Sequence, residues 1–236
     1  MNLEPREQPL AIVLVSGGMD SCVTSAMAAQ EAVPAFLHVS YGQNTSEREH
    51  LAFTEIADYF GIPEDKRLSV ELPHLGKIGG SALTDDSMEV PKFHSLEEEE
   101  EEQGEKPQTY VPFRNSHILC MAVSWAEVIG ATRIYIGAVE EDSAGYPDCR
   151  EEYFEAFNEL IAKGSYAGDK LKILTPVIKF SKADIVKKGS ELSAPFHLTW
   201  SCYERSDTAC GKCDSCLRRL RAFEEAGIED PIDYVE

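Results

Sequence analysis

The chain has 236 residues, 43% of them hydrophobic, which suits one large α/β domain or one domain with an appendage. Its 42 acidic and 22 basic residues leave a formal charge of −20, which argues against a broad nucleic-acid surface and makes any anionic substrate depend on local positive charge. No apolar run is long enough for a membrane span and no secretory signal precedes the first strand, so a cytoplasmic protein is expected, with its seven cysteines kept as thiols.

Leu10 to Val15 is a short, β-branched run that reads as a strand buried on both faces. Ser16-Gly17-Gly18-Met19-Asp20-Ser21 follows as a turn, and Cys22 to Ala29 as a helix that Asp20 or Ser21 can cap. Free N–H groups and a partial positive charge make such a helix start an anion site. The loop lacks the lysine of a Walker A loop and the spacing of a dinucleotide fingerprint. It resembles the S-G-G-x-D-S loop of the PP-loop ATP pyrophosphatases, which cradles the pyrophosphate of ATP. An ordinary strand–turn–helix is the plain alternative.

Ala35–Val39 reads as a second strand ending in Tyr41-Gly42-Gln43, and a helix over about Glu47–Phe60 carries Ala52, Ile56, Tyr59 and Phe60 on one stripe. Arg67–Glu71 reads as a third strand. Alternation of this kind implies a parallel sheet with helices on both faces and ligands at the carboxyl ends of its strands. Tyr41 is then either a neighbour of the nucleotide or a half-buried aromatic at the sheet edge. No element is predicted between Pro73 and Thr109, where an acidic insert (about 92–106) contains the run Glu97 to Glu102 and reads as a solvated tip. Arg114 opens a well-buried helix at about Ser116–Val128; a cation there gains nothing from the helix dipole, so it awaits an anionic partner or a local acid.

Arg133–Ala138 reads as a strand running into a loop with Asp142, Tyr146, Asp148 and Arg150. Asp142 can help hold magnesium or bond a substrate base. Asp148 can cap the helix from about Glu151 to Lys163 or bind substrate. Lys172–Pro176 reads as the last strand, and Ser181 as the cap of a helix ending near Leu192 whose first turn holds Lys182, either solvated or on a phosphate.

Cys202, Cys210, Cys213 and Cys216 stand as C-x7-C-x2-C-x2-C. Four thiolates satisfy tetrahedral zinc and make a structural site. An iron–sulfur cluster is the rival, although Leu217 rather than proline follows the last cysteine. A final helix is expected from about Cys216. Cys22, Cys120 and Cys149 read as small buried apolar residues, with Cys22 the one to test for reactivity. The division expected is a nucleotide-binding unit, 1–192, and a metal-binding segment, 193–236.

Several stretches together resemble the 7-cyano-7-deazaguanine synthases of the queuosine pathway: Ser16–Ser21, Tyr41-Gly-Gln43, Tyr110-Val-Pro-Phe-Arg-Asn115, Gly145-Tyr-Pro-Asp-Cys-Arg150, Thr199-Trp-Ser-Cys-Tyr203 and Cys210-Gly-Lys-Cys-Asp-Ser-Cys216. They span nearly the whole chain in order; the acidic insert is the departure. The resemblance implies an adenine nucleotide alpha hydrolase-like α/β fold and the conversion of 7-carboxy-7-deazaguanine, ammonia and ATP to the nitrile, with AMP and pyrophosphate released. It implies that Val15, Ser16, Gly17, Gly18, Met19, Asp20, Ser21 and Tyr41 hold ATP with Mg²⁺. Asp20, Arg114, Asp142 and Lys182 would serve catalysis, and Gln43, Arg114, Tyr146, Asp148 and Arg150 the substrate. One structural zinc per chain and a homodimer are implied, with small molecules as the only other partners. A tRNA thiolase, another acid-adenylating paralogue and a non-enzymatic nucleotide-binding module are the competing readings. Thiolation would call for a catalytic cysteine pair and a basic surface, and neither is evident.

Overall fold

The computed structural model describes residues 8–85, 87–98, 106–140 and 145–235. Five strands form one sheet: β1 (Leu10–Leu14), β2 (Val33–Ser40), β3 (Arg67–Glu71), β4 (Arg133–Tyr135) and β5 (Lys172–Leu174). Their order is β3-β2-β1-β4-β5 and every pairing is parallel. The longer helices are α1 (Met19–Glu31), α2 (Ser46–Tyr59), the short α3 (Pro73–Ile78), α4 (Arg114–Ile129), α5 (Glu151–Gly164), α6 (Lys182–Glu191) and α7 (Asp214–Ala226).

The pleat sorts the first strand onto two cores. Ala11, Val13 and Val15 face one core with Cys22, Val23 and Ala26 of α1, Phe53 and Ile56 of α2, and Ile185 and Val186 of α6. Ile12 and Leu14 face the other, with Leu119, Ala122 and Ala126 of α4 and Phe154, Phe157 and Ile161 of α5. Both faces are therefore dry, which is why the strands read as continuous apolar runs rather than alternating ones. Each fully buried large side chain, such as Ile12 or Phe36, contributes roughly 1.5–3 kcal/mol. The C-terminal segment shares the first core through Phe196, Ala222 and Phe223.

The chain leaves β1 toward β2 on one side, and returns to β4 on the other. The crevice beyond the carboxyl ends of β1 and β4 is the reversal point at which open α/β sheets bind ligands.

Several local expectations need correction. Helix α3 occupies part of the stretch expected to hold no element; it spans six residues, too few for a periodic pattern, and starts with Pro73 in its first turn above the buried Leu75. The cap of α1 is Gly18, and Asp20 and Ser21 lie inside its first turn. Strand β4 ends at Tyr135, three residues short of Ala138. Helix α7 begins at Asp214, between two of the cysteines. Ser181 caps α6 as expected, through a capping box: its Oγ accepts from Asp184 N at 3.1 Å, while Asp184 Oδ2 accepts from Ser181 N at 3.3 Å.

Candidate active site and metal centre

The loop Ser16–Ser21 is tied by its own side chains. Ser21 Oγ donates to Gly18 O at 2.9 Å and accepts from Ser16 N at 3.2 Å, and Gly18 N donates to Ser16 Oγ at 3.2 Å. Gly17 sits at φ +91° with α2 close behind it: a Cβ there would lie 2.8 Å from Glu49 O. Its carbonyl accepts from Trp200 N at 2.8 Å, so the C-terminal segment clamps the loop from outside. Gly137, just past β4, presses on the loop from the other side: a Cβ there would stand 2.9 Å from Asp20 C and O. Beneath the loop, His38 Nδ1 donates to Val15 O at 2.9 Å. That bond fixes the tautomer, and burial pushes the pKa of His38 down to about 4.

Asp20 and Lys182 meet across the loop at 2.7 Å, with both side chains largely covered. The capping box of α6 holds Lys182 at the first position of that helix, where its cation opposes the dipole. Arg114 Nη1 donates to Tyr41 Oη at 2.9 Å, and its guanidinium lies 5.4 Å from the Tyr41 ring centre. Burial raises the phenol of Tyr41, and raises that of Tyr203 well above its ordinary value, so both remain donors.

One cavity joins these groups. Of the residues expected at the site, Val15, Ser16, Gly18, Met19, Asp20, Ser21, Tyr41, Arg114, Tyr146 and Lys182 line it. Gly17 shapes the loop from behind. Gln43 is buried outside the lining and locks the neighbouring turn: its Oε1 accepts from Tyr41 N at 2.8 Å, and its Nε2 donates to Glu49 Oε2 at 2.8 Å. Asp148 is buried and caps α4 rather than α5, its Oδ2 accepting from Asn115 N at 3.1 Å. That contact holds the helix start from which Arg114 projects. Arg150 reaches Glu152 at 3.7 Å near the surface. Asp142 lies outside the described residues, as do residues 99–102 of the acidic run.

The cavity also takes in Glu49, Trp200, Ser201, Tyr203, Asp214, Ser215 and Arg218, which were not singled out from the sequence. Six of these seven lie in or beside the cysteine motif, and a motif read for its ligand spacing hides any second use of the residues between the cysteines. Glu49 accepts from Thr45 Oγ1 as well as Gln43, each at 2.8 Å, and burial raises its pKa.

The four cysteines converge. All four Sγ atoms lie within 4.8 Å of one another, and Cys210 and Cys216 are 3.9 Å apart. Thiolates arranged around one tetrahedral ion at 2.3 Å stand about 3.8 Å apart, so the set fits a single ion among them. Backbone N–H groups of Arg205 and Cys210 point at Cys202 Sγ, and those of Lys212 and Cys213 at Cys210 Sγ, at 3.3–3.4 Å. Such donors favour the thiolate form a metal needs. Phe93 N donates to Lys212 O, and the tail crosses the loop through Val235 N to Ala209 O. Arg219, 1% exposed, ties α7 down by a bidentate pair with Asp230 at 2.8 and 2.9 Å. Of the other thiols, Cys22 is buried and pushed up to about 12, which leaves it inert, while Cys120 is exposed, against expectation.

The family model for Queuosine biosynthesis protein QueC matches residues 10–227. The chain belongs to the QueC family. It is 52% identical over 237 residues to a 7-cyano-7-deazaguanine synthase of Koribacter versatilis, covering 99% of this chain and 97% of that one. Synthases of the same name from Chloroherpeton thalassium and Chlorobium phaeovibrioides are 54% and 55% identical, each covering 95% of this chain and 96% of theirs. Among solved structures, the U34-tRNA thiolase NcsA from Methanococcus maripaludis overlays with a TM-score of 0.49 at 11% identity, covering 93% of this chain and 64% of that chain.

Proposed function

We propose that the chain is an ATP-dependent 7-cyano-7-deazaguanine synthase, a ligase forming a C–N bond from 7-carboxy-7-deazaguanine and ammonia. The observation that carries this reading is the opening of the phosphate loop into the same cavity as Arg114, Tyr41 and Tyr146. A carboxylate resists ammonia because oxide is a poor leaving group. Adenylation replaces oxide with AMP, ammonia displaces AMP to give the amide, and a second adenylation on the amide oxygen allows elimination to the nitrile. Two ATP become two AMP and two pyrophosphate, and two oxygens leave the carboxylate.

The loop N–H groups at Gly18 to Ser21 bind the departing pyrophosphate, assisted by the positive end of α1. Lys182, held by Asp20, neutralises charge that grows as pyrophosphate separates. Asp20 is the carboxylate of the loop that would help hold a Mg²⁺ brought by the nucleotide, which would offset phosphate charge. Arg114 orients the substrate carboxylate, with Tyr41 fixing the guanidinium. Walls from Leu37, Val39, Ile118 and Ile136 keep water from the acyl adenylate. Zinc is the ion suited to the four thiolates, in a structural role. The working protein is a cytoplasmic homodimer that binds no nucleic acid, in keeping with its charge of −20. Mass spectrometry of the product from ATP, ammonium and the carboxylic acid tests the reading. The nitrile and AMP are expected; unreacted acid with intact ATP would overturn it.

A further inference from the structure

The chain has six histidines, and imidazole is a ligand for zinc, nickel and copper alike. Two pairs of them lie close. His38 and His50 are 5.5 Å apart between ring centres, but His38 Nδ1 bonds Val15 O at 2.9 Å and His50 Nδ1 meets Ser69 Oγ at 3.3 Å. His74, exposed in α3, and His117, half-buried in the first turn of α4, instead face each other nitrogen to nitrogen: His74 Nε2 and His117 Nδ1 are 3.2 Å apart. We infer that this pair is a second metal site, a two-histidine clip that takes one zinc-class divalent ion and fastens α3 to α4. The site is separate from the four thiols and independent of the reaction proposed above.

The spacing and the tilt of the rings both suit an ion. An ion about 2.1 Å from each nitrogen subtends an angle of about 100° between them, near the tetrahedral value. In a straight N–H···N bond of this length the ring centres stand about 5.5 Å apart, each centre lying about 1.15 Å behind its nitrogen. Rings whose lone pairs converge on one ion at that bond length bring their centres to about 5.0 Å. The observed separation is 5.0 Å, so the rings are bent toward a common point rather than aligned head-on. Neither ring has to lose a proton: the N–H between them moves to the far nitrogen of its own ring, which leaves N–H at His74 Nδ1 and His117 Nε2. Among the described residues no third histidine, thiol or carboxylate joins the pair, so water completes the coordination at this open position. The formal charge of −20 draws cations to the surface. The two helices are both neighbours of Tyr41. A Cβ on Gly76 of α3 would lie 3.4 Å from Tyr41 O, and Arg114 of α4 donates to Tyr41 Oη at 2.9 Å. An ion on the two histidines therefore holds both helices against the turn after β2.

The test titrates the full chain with Zn²⁺ by calorimetry in wild type, His74→Ala, His117→Ala and, as a control at an exposed histidine away from the pair, His197→Ala. At saturation the two pair variants hold one ion per chain fewer than wild type and His197→Ala. Any uptake left at the altered site is weaker by about tenfold or more, because a lone imidazole has lost its partner's effective concentration. Melting is the second readout: with the cysteine site already supplied, further Zn²⁺ raises the melting temperature of wild type and His197→Ala and leaves both pair variants where they were. Melting without added ion shows that all four chains are folded alike. Equal stoichiometry in all four chains, an ion lost equally from His197→Ala, or a zinc-dependent rise that both pair variants keep overturns the site.

Discussion

The phosphate loop and the cysteine loop are built from opposite materials. The phosphate loop hangs between a strand and a helix that are buried on their own account, and serine, glycine and backbone contacts hold its shape. The cysteine loop has little apolar mass: Cys202, Cys210, Cys213 and Cys216 pack with Ala52, Trp200 and Ala209. Its order comes from Arg219 on Asp230 and from strand-like crossings at both edges, and four converging thiols that could hold an ion would add to it. Yet the two loops touch, through Trp200 N on Gly17 O. Sheet topology provides one wall of the cavity and the cysteine loop the other, so the two walls should fail in different ways.

The largest effect is expected from Cys213→Ser. It removes one of the four thiols that could hold an ion and the residue before α7 together. Structural zinc contributes on the order of 10 kcal/mol in small domains. Metal content should fall to near zero, and thermal unfolding should move down by more than 10 °C or split in two; an unchanged melt with no metal would show that the loop stands on its apolar contacts. Asp20→Ala should do the reverse. Turnover should drop by about 10³-fold or more, as for loss of a charge acting on the departing group, while melting and metal content hold. A variant with normal turnover would remove the loop from the chemistry.

Legibility in the sequence divides along the same line. The parallel sheet, the phosphate loop and the helix faces could be read because burial on both sides leaves β-branched runs and helical spacing leaves apolar stripes. The cysteines could be read because ligand spacing is a chemical constraint. What escaped had no such period. Helix α3 is six residues long. Gln43 and Asp148 carry residue types that suit a ligand, and their polar atoms serve the fold instead: Gln43 bonds the backbone of Tyr41 and the carboxylate of Glu49, and Asp148 bonds the backbone of Asn115, distant in sequence. Asp214 and Tyr203 were masked by the motif that contains them.

The side of the cavity built on the sheet can be probed through acid. Folded His38 titrates near 4 and the unfolded residue near 6.5, because burial disfavours the imidazolium. Between those values the unfolded chain binds the extra proton. Stability is therefore full above pH 6.5 and declines as pH falls toward 4, by about 3 kcal/mol in all. Glu49, raised by burial, works in the opposite direction at acid pH, so the comparison must be differential. Urea unfolding of wild type and His38→Gln from pH 4 to 7 should give curves that converge at low pH. Parallel curves would show that His38 is not the titrating group.

Gly137→Ala is the smallest of these changes and the most local. The added methyl would meet Asp20 C and O at 2.9 Å and Ser21 N at 3.0 Å, all backbone atoms of the first turn of α1. No flexible side-chain end can yield there, so the loop itself must shift, at a cost of about 1–3 kcal/mol. Gly130→Ala is the matched control. It lies at φ +73° with nothing within 4 Å of its Cβ position, so its cost of roughly 1–2 kcal/mol is backbone strain at the end of α4. The two variants should lose similar stability in urea, but only Gly137→Ala should raise KM for ATP, by about tenfold if about 1.4 kcal/mol of the strain is relieved by moving the loop off its phosphate-binding geometry. Equal KM values would mean that β4 bends away instead, and that the phosphate loop is the stiffer of the two surfaces.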